Sequence, residues 1–203
     1  MEQIHLVAQE ILKGCALRYS NSSNIPSLKA FEDELRESLS RSGDNSEIVG
    51  FKSIVCYRTG MNVSVHGNEE EKLDALKDVL EAYKQTGVIR LAHKALNDEV
   101  VRITLAVAEK CGKPGNMCCL ISWSRFEYRL VQFHTGLGDN DITLSLSSPA
   151  HLQPIIKAYP KALFVLLHSS YPYTREAGYL TAMYRNVYLD FGEVCLEQDI
   201  FSA

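Results

Sequence analysis

Val131-Gln132-Phe133-His134-Thr135-Gly136-Leu137-Gly138-Asp139 and Phe164-Val165-Leu166-Leu167-His168-Ser169-Ser170 are the stretches that decide how this chain folds. Each is a short apolar run that ends in a histidine followed by small or polar residues. A third run, Val187-Tyr188-Leu189-Asp190-Phe191-Gly192, follows them. Helical segments lie between. Ser148-Pro149 reads as an N-cap with proline at the first helical position, ahead of His151, Leu152, Ile155 and Ile156, and Tyr159-Pro160 ends that helix. Thr174 then caps a helix through Ala177, Leu180 and Met183. Apolar strands that each deliver one polar residue at the C-terminal end are how a parallel α/β sheet or barrel builds a site.

The same alternation extends toward the N-terminus. Ile4, Val7, Ala8, Ile11, Leu12 and Cys15 recur at helical spacing and predict a helix over 4–17. A second helix starts near Ser27 and carries Leu28, Phe31, Leu35 and Leu39 on one face. Val49 to Tyr57 reads as a strand that opens into Arg58-Thr59-Gly60. Asn68-Glu69-Glu70-Glu71 is an acidic helix start suited to the positive end of the helix dipole. Asn97-Asp98-Glu99 is expected to open the next helix, which Cys111-Gly112-Lys113-Pro114 stops. Strands and helices in alternation, with short connections, predict an α/β fold of parallel βαβ units in a single domain over residues 1–203.

Composition narrows the function classes. The chain has 203 residues, 46% of them hydrophobic, which suffices for one domain with a core. A mild net charge of -4, without a basic patch, argues against nucleic acid or an anionic membrane as partner and leaves a small molecule. No apolar run has the length of a transmembrane helix, and no signal peptide is evident. The six cysteines include no Cys-x-x-Cys pair. That speaks against a structural zinc site and for a reduced, cytoplasmic setting, with Cys56 and Cys195 as buried thiols.

His134 and His168 end successive strands, so parallel sheet geometry brings both to one edge. Neutral imidazole is a ligand for zinc, manganese or iron, but a tight site needs about three or four donors. Asp139, within bending reach beyond its strand, and Asp190, expected inside its strand, are the nearest acidic candidates. A lone histidine at a strand end is otherwise a hydrogen-bonded structural residue. His5, His66, His93 and His151 fall on helices or loops and suggest no role. Gly136-x-Gly138 lacks the rest of a dinucleotide fingerprint, and His168-Ser169-Ser170 is not a nucleophile elbow.

Three blocks carry a resemblance: Gly50-Phe51-Lys52-Ser53-Ile54-Val55-Cys56-Tyr57-Arg58-Thr59-Gly60, Gln132 to Asp139, and Leu167-His168-Ser169-Ser170-Tyr171-Pro172-Tyr173-Thr174-Arg175-Glu176-Ala177-Gly178-Tyr179-Leu180. They resemble the amidohydrolase-related metal-dependent hydrolases. The match is nearest to the subgroup that forms the N-terminal half of fungal developmental-signal and plant nodulin proteins with a glutamine-synthetase-like second half. The resemblance implies a (β/α)8 TIM-type barrel with a divalent metal, zinc or manganese, at the C-terminal ends of its strands. It implies hydrolysis of a C–N, amide-type bond by metal-activated water, or a decarboxylation in some relatives. By the same resemblance His134 matches the fifth-strand metal ligand and His168 the sixth-strand histidine that handles protons. Tyr171, Arg175 and Asp139 are the substrate-binding candidates, with Tyr173 and Glu176 close by. Lys52 lies on an earlier strand where some relatives carry a carboxylated lysine; no such role is assigned to it.

The chain also departs from that pattern. It has no His-x-His, and neither the first strand nor the eighth-strand aspartate is evident. The expectation is therefore an incomplete barrel, either a fragment of a hydrolase or a catalytically inactive, small-molecule binding relative. Residues 115–130, with Cys118-Cys119 and Trp123, read as an insertion or gene-model artefact, and residues 195–203 as an atypical tail.

Overall fold

The computed structural model describes residues 1–19, 27–111 and 130–192. Its centre is a sheet of five strands: β1 (Glu2–Gln3), β2 (Gly50–Ser53), β3 (Leu130–Phe133), β4 (Leu163–Leu166) and β5 (Val187–Leu189). Every neighbouring pair is parallel and the spatial order is β1-β2-β3-β4-β5. Spatial order that equals chain order means each crossover steps in the same direction. Right-handed crossovers then place the helices on one face. A doubly wound sheet reverses its order at a switch point, whereas a barrel does not. The fold is accordingly α/β, with five consecutive strands in barrel order.

Six helices complete the architecture: α1 (Ile4–Tyr19), α2 (Leu28–Asp44), α3 (Glu69–Thr86), α4 (Lys94–Lys110), α5 (Gln153–Ala158) and α6 (Thr174–Met183). Local chemistry starts and stops several of them. Ser27 accepts a hydrogen bond from the Ala30 amide at 3.1 Å and caps α2. Asn68 accepts from the Glu70 and Glu71 amides, and three glutamates follow at the positive end of α3. Gly87, at φ 71°, ends that helix in the left-handed conformation open to glycine.

Alternation along the strands sorts the two faces. Phe51, Val131, Phe133, Phe164, Leu166 and Val187 join one core with Ile4, Leu12, Phe31, Leu35, Leu76 and Val100 of the helices. Phe133 and Phe164 stack across β3 and β4 with ring centroids 5.6 Å apart. The opposite row, Lys52, Gln132 and Val165, is half-buried, and Tyr188 is exposed. On the helical side Lys72, almost wholly buried, joins α2, α3 and α4 through Glu32 at 2.7 Å, Glu69 at 2.5 Å and Glu99 at 3.4 Å.

Several boundaries differ from the sequence expectation. The strand expected over 49–57 keeps only Gly50–Ser53, because Val55–Tyr57 coil into a 3-10 turn. Helix α4 begins at Lys94, not at Asn97. Asn97, Asp98 and Glu99 look like a polar start because their partners are distant in sequence or upstream. The Asn97 amide donates to the Leu91 and His93 carbonyls, Asp98 accepts from the Ser64 amide and Lys94, and Glu99 pairs with Arg102. Thr174 is the first residue of α6 and makes no side-chain cap. Asp190 stands just past β5 and not within it. Strand β1 carries no apolar pattern and was not expected. Residues 115–129 of the expected insertion, Cys195 and the 195–203 tail lie outside the described residues, while Leu130 is the first residue of β3.

Candidate functional site

The C-terminal ends of β2 to β5 lie level. The His134 amide donates to the Ser53 carbonyl at 3.1 Å, the Leu167 amide to Phe133 at 3.1 Å and the Asp190 amide to Leu166 at 2.8 Å. By strand alternation His134 shares the side of Gln132, away from the helices. Residue 168 would fall on the helical side if β4 simply continued. It does not continue, because His168, Ser169 and Ser170 all take positive φ, at 60°, 50° and 54°. Left-handed backbone at three successive non-glycine residues is strained. It turns the chain back on itself and re-aims the His168 ring.

The two histidines meet. His168 Nε2 lies 3.2 Å from His134 Nδ1, with ring centroids 4.7 Å apart, and both residues are buried. His134 Nε2 also makes a short hydrogen bond to the Leu137 carbonyl. A carbonyl only accepts, so Nε2 carries the proton. In neutral His134, Nδ1 is then the acceptor and His168 Nε2 the donor. The pair forms a directed chain from His168 through His134 to Leu137.

Neighbouring groups hold the strained turn. The Thr135 hydroxyl donates to the Leu167 carbonyl at 2.9 Å, and its oxygen lies 2.7 Å from the Ser170 hydroxyl. The Ser169 amide donates to the Asp190 carbonyl at 2.7 Å. Gly136, at φ 64°, passes so close to the Ser170 and Tyr171 carbonyls that no side chain fits there. Tyr57, just past the end of β2, packs on His134 with ring centroids 4.4 Å apart. Burial, with the Asp139 and Asp141 carboxylates, pushes its phenol above the usual range.

The expected site residues thus divide. His134 and His168 come together, and Tyr171 follows the turn of His168 with its backbone against Gly136. Asp139 is exposed at the rim, close enough for its charge to reach Tyr57. Arg175 lies elsewhere. It lines a surface groove of about 300 Å³ with Ala150, Gln153, Glu176, Tyr179 and Leu180, which contains neither histidine. The expectation that Arg175 lines the same pocket is not met, because α6 carries it away from the strand ends.

As a metal centre the arrangement is short of donors. Both ring nitrogens of His134 face protein atoms. Among the described residues no three His, Cys, Asp or Glu side chains are grouped to hold an ion. Zinc or manganese needs about three or four protein donors. The described residues do not fit a metal as they stand.

Sequence reading missed Tyr57, Arg58 and His5. Tyr57 and Arg58 carry the signal used for His134, a polar residue just past an apolar strand. His5 had none, because it sits inside a helical pattern and its neighbour, β1, is only two residues long.

Comparison with known proteins agrees with this geometry. The chain is 48% identical over 152 residues to Protein fluG of Emericella nidulans, a match that takes in 72% of this chain and 16% of that protein. Its structure is similar to the crystal structure of a protein from Lactobacillus casei described as a metal-dependent hydrolase. That match has a TM-score of 0.66 and 26% identity, over 94% of this chain and 43% of the other. The chain therefore spans less than half the length of either relative. No described helix is long and apolar enough to cross a membrane. A family model described as Amidohydrolase matches residues 31–199, the span that contains β2 to β5 and both histidines, and the chain belongs to that family.

Proposed function

We propose that this chain carries the reaction edge of a hydrolase that cleaves a C–N, amide-type bond, with the His134–His168 pair at its centre. The observation that carries the reading is the 3.2 Å contact between the two imidazoles at adjoining strand ends. Two neutral imidazoles in contact can hold one extra proton between them. The pair takes a proton from water as its oxygen bonds to the acyl carbon, and returns one to the nitrogen as the C–N bond breaks. The products are a carboxylic acid and an amine. Tyr57 fixes the plane of His134, and the Thr135–Ser170 pair fixes the turn that presents His168. A divalent metal, zinc or manganese, would need more donors than the pair offers, so the proton chemistry rests on the pair alone.

A second reading is favoured by that shortage of donors: a barrel-family domain that binds a small acid or amide without turning it over. Release of p-nitroaniline from glutaryl and acetyl p-nitroanilide separates the two. Hydrolysis by the wild type that falls at least about 100-fold in His168→Gln supports the first reading, the scale typical of general acid–base catalysis. A wild type that releases nothing leaves the binding reading. A cytoplasmic setting and a glutamine-synthetase-like companion domain belong to this proposal as well.

A further inference from the structure

One strand away from the histidine pair is a group of polar atoms that protein partners leave unsatisfied. Arg58 follows the 3-10 turn of Tyr57 and is half-buried. Its guanidinium meets no carboxylate among the described residues, and its Nε is buried without a hydrogen-bond partner. Every other described arginine in the interior, such as Arg102, is bound to a carboxylate. His5 is completely buried at the end of β1. Its Nδ1 accepts from the Ile54 amide at 3.4 Å, so the neutral ring carries its proton on Nε2. That Nε2 has no partner either, and neither does the buried hydroxyl of Thr59.

Buried donors without acceptors are costly, and native structures rarely leave several together. Here one fixed positive charge, one imidazole N–H and one hydroxyl stand close by, with no protein oxygen to receive them. The missing partner is an acceptor, and beside an uncompensated guanidinium it is an anionic one. A planar carboxylate matches the guanidinium fork. We propose that Arg58, His5 and Thr59 form a carboxylate subsite beside the histidine pair, so that the ligand is an acid. Arg58, the half-exposed member, takes the carboxylate, and His5 and Thr59 close the subsite from within. Tyr57 separates this subsite from His134 and so sets the spacing between the acid group and the bond to be cleaved.

This assignment rests on the hydrolase reading only for the bond that lies next to the acid; the subsite itself needs no turnover. Malonate, with its neutral diamide malonamide as control, is titrated into the full chain and followed by imidazole and arginine NMR resonances. The expected result is saturable binding of malonate, none of malonamide, and a loss of at least tenfold in malonate affinity in Arg58→Gln. Malonate should also shield Arg58 of the unaltered protein from phenylglyoxal, read by peptide mass, which keeps the test valid if the variant misfolds. Equal binding of malonate and malonamide, or malonate binding with Arg58 left fully reactive, overturns the subsite. His168→Gln separates the two ideas. It should bind malonate like the wild type even if no p-nitroanilide is ever hydrolysed.

Discussion

Replacing His5 tests the interior of the strand edge through its pH dependence. Burial first, then the Arg58 charge, holds the His5 imidazole down at about 3, against an ordinary value of 6.5. Below 6.5 the unfolded chain gains a proton at this position that the folded chain refuses until about pH 3. The unfolded state binds more protons in that window, so stability is fully present above 6.5 and is lost as the pH falls toward 3. At roughly 1.4 kcal/mol for each pH unit, His5 alone withdraws about 2 kcal/mol between pH 7 and pH 5, and roughly 5 kcal/mol at the acid limit. His5→Asn removes the titration while its side-chain oxygen can still accept from the Ile54 amide. Urea unfolding of both proteins at pH 7 and pH 5 measures the difference, and carboxylates common to both cancel. The wild-type midpoint should fall by about 1 M more than the variant's, for an ordinary slope of about 2 kcal/mol per molar. Equal pH-dependent shifts in the two proteins would refute a neutral, buried His5.

Other substitutions probe the rest of the argument. Gly136→Ala drives a methyl group into the Ser170 and Tyr171 carbonyls at a positive φ. It should cost at least about 1–3 kcal/mol and abolish the coupling between the His134 and His168 imidazole resonances, whereas an unchanged His168 spectrum would show that the turn does not depend on that close approach. Lys72→Ala leaves Glu32 and Glu99 without their buried cation and should lower stability by about 3–5 kcal/mol in urea; a change under about 1 kcal/mol would mean the network is solvated. Phe164→Ala removes a completely buried ring stacked on Phe133, for which thermal and urea unfolding should register a loss of about 3–5 kcal/mol. Elemental analysis after dialysis should find less than one zinc or manganese per chain; a stoichiometric metal lost in His134→Ala would overturn the account of His134 as a residue engaged by protein partners.

Legibility in the sequence followed the range of the interactions. The α/β alternation, the start of α2 at Ser27 and of α3 at Asn68, and the strands before His134 and His168 depend on local caps and on apolar runs, and these show in a linear chain. The start of α4 did not show, since Asp98 is polar for the sake of Ser64, thirty-four residues away. Nor did the turn at His168, since its positive φ values rest on Thr135, Gly136 and Asp190, contributed by other strands. Sheet geometry predicted correctly that the two histidines share an edge. It could not predict that they touch, because alternation alone sends residue 168 to the wrong side. His5 was passed over for the opposite reason: its helical spacing is real, and its meaning comes from Ile54 and Arg58 across the sheet.

The order of the strands carries a meaning in time as well as in space. A sheet whose neighbours follow the chain can be built as the polypeptide leaves the ribosome, each strand docking on the one made before it and waiting for nothing downstream. His134 emerges on β3 with its bond to Leu137 already within reach, but without the second imidazole. The turn at His168 takes its final form only when Asp190 arrives to receive the Ser169 amide. The scaffold is therefore assembled early in synthesis and the histidine pair is locked late.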